Sequence, residues 1–400
     1  MRVPHRSRNI RDVGLNTLAF GIYVAAQQLL FFPVLSRIGD NDSFAQVILF
    51  VTVSGVIANV IGGEMANTAL VRSSTYEAAG LRWDFHLLLL RLVGIACITA
   101  VVVNLFTGIP WSLFAEYALI TLFTILRLYA TAPYKYAERF SVVLLCYTFY
   151  ALGGILGLYL TSRTDWMLAP FALAEVSALV CMVAVRILDR PGTTLMRTGP
   201  GFPRTVSTFT QLAIVALLIN FVSYFDRVLI YPLLGAAAMA TYYSASVFSK
   251  SMSLVINPVA NAFLAKLGRI RDDRRAEVIS RLVRSLPPAL LLFAVANYTI
   301  SYFGLRILYP IYYTDAIPLL LPVSCAGALS SCADMLQPAI LRFRAPRFYL
   351  FANIAYAAVF AVSFLVMSSL WGISGFAWST AVARACQFAL YLLVAIRTPE

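Results

Sequence analysis

Histidine is nearly missing from this chain: the two present in 400 residues, His5 and His86, lie in the amino-terminal tail and at the edge of an apolar run. Neither stands where it can do acid–base work or bind a metal within a membrane. Charge of either sign is scarce at 12% of residues, and acids are outnumbered 18 to 31. Hydrophilic stretches long enough for a soluble domain are lacking. Walker and Rossmann glycine patterns are also absent, which with such short connections argues against an ATP-driven pump built on this chain. The cysteines, Cys97, Cys146, Cys181, Cys325, Cys332 and Cys386, all fall inside apolar runs without CxxC spacing. They read as small packing residues, not as disulfides or metal ligands. No catalytic constellation, no cofactor and no metal site is expected.

Apolar sequence is abundant, with 60% hydrophobic residues and a mean hydropathy of +0.81, the composition of a polytopic membrane protein. A net charge of +13 raises the question of nucleic acid, but the bases are dispersed among short connections and form no patch, so no nucleic-acid partner is expected. The basic start MRVPHRSRNIRDVG precedes an apolar run that contains Gln27, Gln28 and Pro33, and it reads as the flank of an uncleaved first span. Runs near 20 residues predict twelve spans, at 13–35, 44–70, 85–109, 112–131, 141–161, 166–187, 208–233, 237–265, 286–309, 315–338, 348–370 and 373–396.

The connections alternate in charge. One side collects 23 of the 31 basic residues, including the dense loop GRIRDDRRAEVISRLVR, whereas the other has Arg37, Arg163 and Arg306. The positive-inside rule makes the rich side cytoplasmic and puts both termini there. The polar connection LDRPGTTLMRTGPGFPRTVS falls near half-length and reads as a cytoplasmic linker at 188–207, between an amino-terminal six-helix lobe at 1–187 and a carboxy-terminal one at 208–400. The segments FPVLSRIGDNDSFAQVILF and YPLLGAAAMATYYSASVF share Pro, then Gly, then an aromatic start to the next span. Internal repeats of this kind are common in transporters, with the substrate site at the repeat interface. Pro33, Pro170, Pro232, Pro258 and Pro322 within or near spans are candidate kinks.

The most anomalous stretch runs from Thr208 to Leu267, where two apolar segments carry Asp226, Arg227 and Lys250. A charge at mid-membrane costs roughly 2.5–3.5 kcal/mol on insertion scales, so these groups must face protein or water. Ser246, Lys250, Ser253, Asn257 and Asn261 share one helical face, as do Thr380, Arg384, Gln387 and Tyr391 in the last span and Tyr117, Thr121, Thr124 and Arg127 in the fourth. Arg384 is the foremost candidate for a substrate contact. Arg127, near an inner end, either faces inward or snorkels to the interface, and Arg91 has the same two readings. The acids Glu175, Glu64 and Asp334 are candidate counter-ions or coupling groups.

The stretch NFVSYFDRVLIYPLLG followed by AMATYYSAS resembles the seventh-to-eighth helix region of polysaccharide exporters and lipid-linked oligosaccharide flippases of the multidrug/oligosaccharidyl-lipid/polysaccharide superfamily. The resemblance implies an all-α integral membrane protein of about twelve transmembrane helices in two six-helix lobes around a central cavity, working by alternating access in a bacterial cytoplasmic membrane. It implies a flippase for an undecaprenyl-pyrophosphate type oligosaccharide repeat unit, and as partners the lipid-linked oligosaccharide, the bilayer, a polysaccharide polymerase and assembly proteins. Lys250, Arg384, Arg227, Asp226, Arg91, Arg127, Asn257 and Gln387 are then the candidate substrate contacts, since buried cations suit a pyrophosphate. Two further readings remain open: a cation-coupled multidrug exporter of the same superfamily, and an intramembrane glycosyltransferase or ligase, which would need a larger outer loop than any seen.

The charge asymmetry predicts that cysteines introduced at Asn41 and Thr164 react with an impermeant reagent from outside intact cells, and that those at Gly199 and Asp273 react only after permeabilisation. External labelling at Asp273 reverses the orientation.

Overall fold

In hydrocarbon, a helix satisfies its interior backbone N–H and C=O groups within its own segment, so a chain of apolar runs has few alternatives to it. The computed structural model describes residues 5–77, 83–107, 111–189, 201–267, 275–343 and 346–396, and among these it is helical with short turns and no strand. The helices are α1 (His5–Ala25), α2 (Phe32–Ile38), α3 (Asn41–Ala58), α4 (Glu64–Glu77), α5 (Trp83–Thr107), α6 (Trp111–Ala130), α7 (Ala132–Tyr136), α8 (Phe140–Thr164), α9 (Ala169–Leu188), α10 (Phe202–Leu267), α11 (Arg275–Leu308), α12 (Tyr313–Phe343) and α13 (Pro346–Ile396).

Nine helical stretches among the described residues are long and apolar enough to cross a membrane. One of them, Phe351–Ile396, has 46 residues, about twice what a crossing needs. It doubles back at Gly372, whose φ of 56° and ψ of −133° suit glycine and interrupt α13. Gly235, with φ 86° and ψ 176°, interrupts α10. The π turns Ala26–Phe31 and Asn59–Gly63 join α1 to α2 and α3 to α4 without a break. With those joins, the two glycine turns and short α7 set aside, the described helices make twelve membrane-length rods. Large apolar side chains cover the outside: Leu90, Val180, Leu291 and Val362 are 63–68% exposed, a surface suited to lipid and costly in water.

Packing divides the chain into two units, Met1–Val228 and Leu229–Glu400. In the first, α8 and α9 form the most extensive pair, α1 lies on α8, α3 on α6, and α6 on α9. Glycine makes the α8–α9 pair possible, since a Cβ on Gly153 would come within 2.4 Å of Leu173 O and one on Gly157 within 2.4 Å of Pro170 Cα. Gly62 lies against the Ile125 backbone in the same way, so these glycines serve close helix approach. The start of α10 belongs to this unit: Phe209 joins Met65, Phe85, Leu88 and Ile125 in an apolar cluster. In the second unit α12 packs on α11 and α13, around Leu286, Cys332, Leu336, Ile340 and Tyr391.

The ends of the first unit's helices group as the charge pattern requires. The turn at Gly39 lies against Met167, so two connections expected outside are neighbours, while Arg139 and Asp189, both expected inside, form an ion pair at 2.7 Å. Asp40 caps α3 by accepting from the Ser43 backbone N–H at 3.0 Å, and hydrogen bonding from Ser43 holds its carboxyl below the ordinary range. The two aligned hairpins both turn at a glycine, but Gly39 has an ordinary φ of −86° and Gly235 a left-handed one. Pro170 is not a kink: it occupies the first turn of α9, where its missing N–H removes no helical bond.

Replacing Gly157 by Ala forces Pro170 away and is expected to cost about 1–3 kcal/mol, the range for overpacking. Gly94→Ala, with nothing within 4 Å of the added carbon, is expected to leave stability unchanged or slightly higher. Thermal unfolding in detergent measures both, and equal effects would contradict the close α8–α9 approach.

Candidate functional site

Two clusters of polar side chains stand out, one in each unit. In the first, the row Tyr117, Thr121, Thr124, Arg127 places its last two members one turn apart on α6, facing α9. Arg127 Nε donates to Glu175 Oε2 at 2.6 Å and Nη2 to Oε1 at 3.0 Å, a bidentate pair whose side chains are 1% and 3% exposed. Thr124 Oγ1 donates to Glu175 Oε1 at 3.0 Å. Three tyrosine rings enclose the guanidinium: its carbon lies 5.0 Å from the ring centre of Tyr23 on α1, and 5.2 and 5.1 Å from those of Tyr147 and Tyr150 on α8. Such contacts are worth about 2 kcal/mol or more when desolvated. Gln27, one turn after Tyr23, donates to the Tyr150 hydroxyl at 2.8 Å.

Beside this cluster is a cavity of about 30 Å³ lined by Tyr23, Gln27, Ser54, Tyr117, Tyr150 and Glu175 among others, large enough for water. The Ser54 and Thr121 hydroxyls are hydrogen-bonded at its edge, and Tyr117 Oη donates to the Phe50 carbonyl at 2.9 Å. Here the structure decides between the two readings of Arg127. The side chain turns inward, and its charge is met by Glu175 instead of being offered at an interface.

In the second unit, Arg384 is half-buried on the second arm of α13. Its Nη1 donates to Gln387 Oε1 at 2.8 Å, Gln387 Nε2 to Asn353 Oδ1 at 3.0 Å, and Asn353 Nδ2 to Tyr391 Oη at 3.0 Å. The guanidinium carbon lies 4.5 Å from the centre of the Tyr356 ring. Asn353 and Tyr356 come from the first arm of the same doubled helix, so the Gly372 turn brings the two faces together. Among the described residues no carboxylate lies within ion-pair distance of Arg384. A cation held by an amide and an aromatic face keeps its full charge for an anion.

The other candidates lie on α4, α5, α10 and α12. Arg227 is buried, with its guanidinium 5.7 Å from the Tyr224 ring centre. Lys250 is half-buried, and its neighbour Ser249 supplies the contact to α12, donating to the Val323 carbonyl at 3.0 Å. Arg91 is exposed, 5.4 Å from the Phe202 ring centre. Glu64 is half-buried at the start of α4 and accepts from Asn67 at 3.1 Å; among the described residues no base pairs with it. Asp334 is half-buried on α12. The side chains of Asp226 and Asn257 lie outside the described residues. Sequence reasoning missed Tyr23, Tyr147, Tyr150, Asn353 and Tyr356. The recurrence of Tyr147 and Tyr150, and of Asn353 and Tyr356, at three residues was the available signal.

Breaking the buried pair is expected to be costly: Glu175→Gln strands the Arg127 charge and should destabilise by about 3–5 kcal/mol, while Arg127→Met with Glu175→Leu should recover most of that loss. Thermal unfolding of the single and double variants gives the coupling. A coupling near zero would mean that the pair does not hold α6 to α9.

By sequence, no family model and no curated protein matches the chain. By structure, it is similar to an inward-facing multidrug resistance MATE family transporter of the MOP superfamily, with a TM-score of 0.71 at 14% identity over 95% of this chain and 93% of that one. It is similar to MATE in its straight conformation, with a TM-score of 0.62 at 12% identity over 96% and 94%. It is also similar to the lipid II flippase MurJ in an inward closed conformation, with a TM-score of 0.58 at 13% identity over 98% and 86%. The chain therefore has the fold of these transporters and flippases, at identities that carry fold alone.

Proposed function

We propose that this chain is a flippase that carries a lipid-linked, undecaprenyl-pyrophosphate type oligosaccharide across a bacterial cytoplasmic membrane by alternating access, with both termini cytoplasmic. The observation that carries the reading is Arg384: a cation within a membrane-spanning helix, oriented by Gln387 and Tyr356, with no carboxylate partner among the described residues. Keeping a charge so placed is expensive, and a phosphate-bearing head group would repay that cost by charge-assisted hydrogen bonds. Lys250 and Arg227 are further candidate substrate contacts; Arg127, already paired with Glu175, acts by holding α6, α9 and the tyrosines in place. A polysaccharide polymerase and assembly proteins are the partners this reading brings.

The fold shared with a MATE multidrug transporter favours a second reading, a cation-coupled drug exporter. A site for cationic drugs calls for an unneutralised carboxylate facing an apolar cavity. The carboxylate that lines the first unit's cavity, Glu175, is instead consumed by Arg127 and Thr124, which supports the anionic substrate; Glu64, which pairs with no base among the described residues, is not part of that lining.

Deletion of the gene is expected to remove a surface polysaccharide and to leave its lipid-linked repeat unit on the inner leaflet, because a hydrated glycan does not cross about 30 Å of hydrocarbon unaided. Arg384→Lys should restore part of the export that Arg384→Ala fails to restore at equal membrane abundance. Normal surface glycan with heightened sensitivity to lipophilic cations would replace this reading with the drug exporter.

A further inference from the structure

On the outer face of the first unit, α6 and α9 line a second, open groove of about 420 Å³. All its lining side chains are apolar. Phe123 forms one wall, and Val176, Val180, Val183 and Ile187 form the other, spaced at 4, 7 and 11 so that they make one stripe along α9. Three features separate this groove from ordinary lipid-facing helix surface. It is concave, so a chain in it is touched on more than one side. It begins one residue after Glu175, about a third of the way along α9, and the eleven steps from Val176 to Ile187 rise about 16 Å, close to half of a roughly 30 Å hydrocarbon core. It therefore lies mainly in one leaflet, the one at the basic end of α9. At that end stands Arg186, exposed, within electrostatic reach of His86, Tyr129 and Tyr134. The nearby acid Asp189 is taken by Arg139 at 2.7 Å, and among the described residues no carboxylate pairs with Arg186. The Tyr129 hydroxyl and His86 Nδ1, 3.1 Å apart, add polar groups that reach into the same region from α6 and α5.

We infer that the α6–α9 groove seats one hydrocarbon chain of an anionic phospholipid from the cytoplasmic leaflet, with the phosphate against Arg186. A one-leaflet groove with one basic side chain at its mouth matches a lipid whose chain ends at the bilayer midplane and whose head group carries a single negative phosphate. The lipid would fill the groove beside the Arg127–Glu175 pair, and it is distinct from the substrate proposed above.

The test uses the full chain in nanodiscs containing trace phosphatidylglycerol or phosphatidylcholine with the same photoreactive acyl chain, and maps adducts by mass spectrometry. Phosphatidylglycerol should label the segments around Phe123 and 176–187 about fivefold more than phosphatidylcholine, the effect of one basic side chain beside an anionic lipid. Arg186→Gln should bring the two to equality. Val183→Trp, which fills the groove, should suppress both, whereas Leu156→Trp on the exposed face of α8 should change neither. Free inorganic phosphate should not compete. Equal labelling by the two lipids in the unaltered protein, or an unchanged ratio in Arg186→Gln, overturns the inference. So does displacement by free phosphate, or preferential displacement by a polyprenyl phosphate, which would assign the groove to the carrier lipid. None of these readouts depends on transport, so the inference stands or falls apart from the flippase reading.

Discussion

The first unit is organised by the bidentate bond between Arg127 and Glu175. Two ionised groups taken from water lose hydration worth several kcal/mol each, and they are tolerated only when geometry and extra hydrogen bonds compensate. Here the compensation is distributed over four helices. Glu175 on α9 receives Arg127 and Thr124 from α6, and the guanidinium face is covered by Tyr23 from α1 and by Tyr147 and Tyr150 from α8. Lysine would not serve, because a point charge offers neither the planar fork for the carboxylate nor the flat face for the rings. The glycine-mediated approach of α8 to α9 then becomes a requirement of the site, since it brings Tyr150 and Glu175 to the same guanidinium.

The two arginines show how surroundings assign different tasks to one residue type. Arg127 meets a carboxylate and is neutralised where it stands. Arg384 meets an amide, Gln387, which is itself held by Asn353, which in turn donates to Tyr391, and an amide orients a guanidinium without cancelling its charge. Both π turns also place a polar side chain where it reaches another helix. Gln27 bonds to Tyr150 at 2.8 Å, and Asn59 donates to Asn220 at 3.4 Å. A π turn widens the helix and leaves its hydrogen bonding less regular, so the first unit has local irregularity next to its most tightly bound cluster.

Much of the architecture was legible. The runs of apolar residues located the rods, including the paired arms at 208–233 and 237–265 and at 348–370 and 373–396, which the structure separates at Gly235 and Gly372. The rows Tyr117–Arg127 and Thr380–Tyr391 identified polar faces on α6 and α13 from periodicity. Pairing was not legible. Glu175 was one of several acids at depth, and nothing in its neighbours marks Arg127, 48 residues earlier, as its partner. Tyr23, Tyr147 and Tyr150 were hidden because tyrosine in a span serves equally as core, as interface belt or as cation contact.

The sequence by itself determined that this chain lives in a bilayer, how many times its rods cross, and which faces of those rods are polar, because composition and helical period are local properties of the chain. Only the tertiary structure decided which cations are neutralised and which remain available, and where the outer surface is concave. Those outcomes depend on the register and closeness of helices far apart in sequence, and at 2.6 Å for Arg127 and Glu175 a shift of one helical residue, about 1.5 Å of rise and 100° of rotation, would undo them.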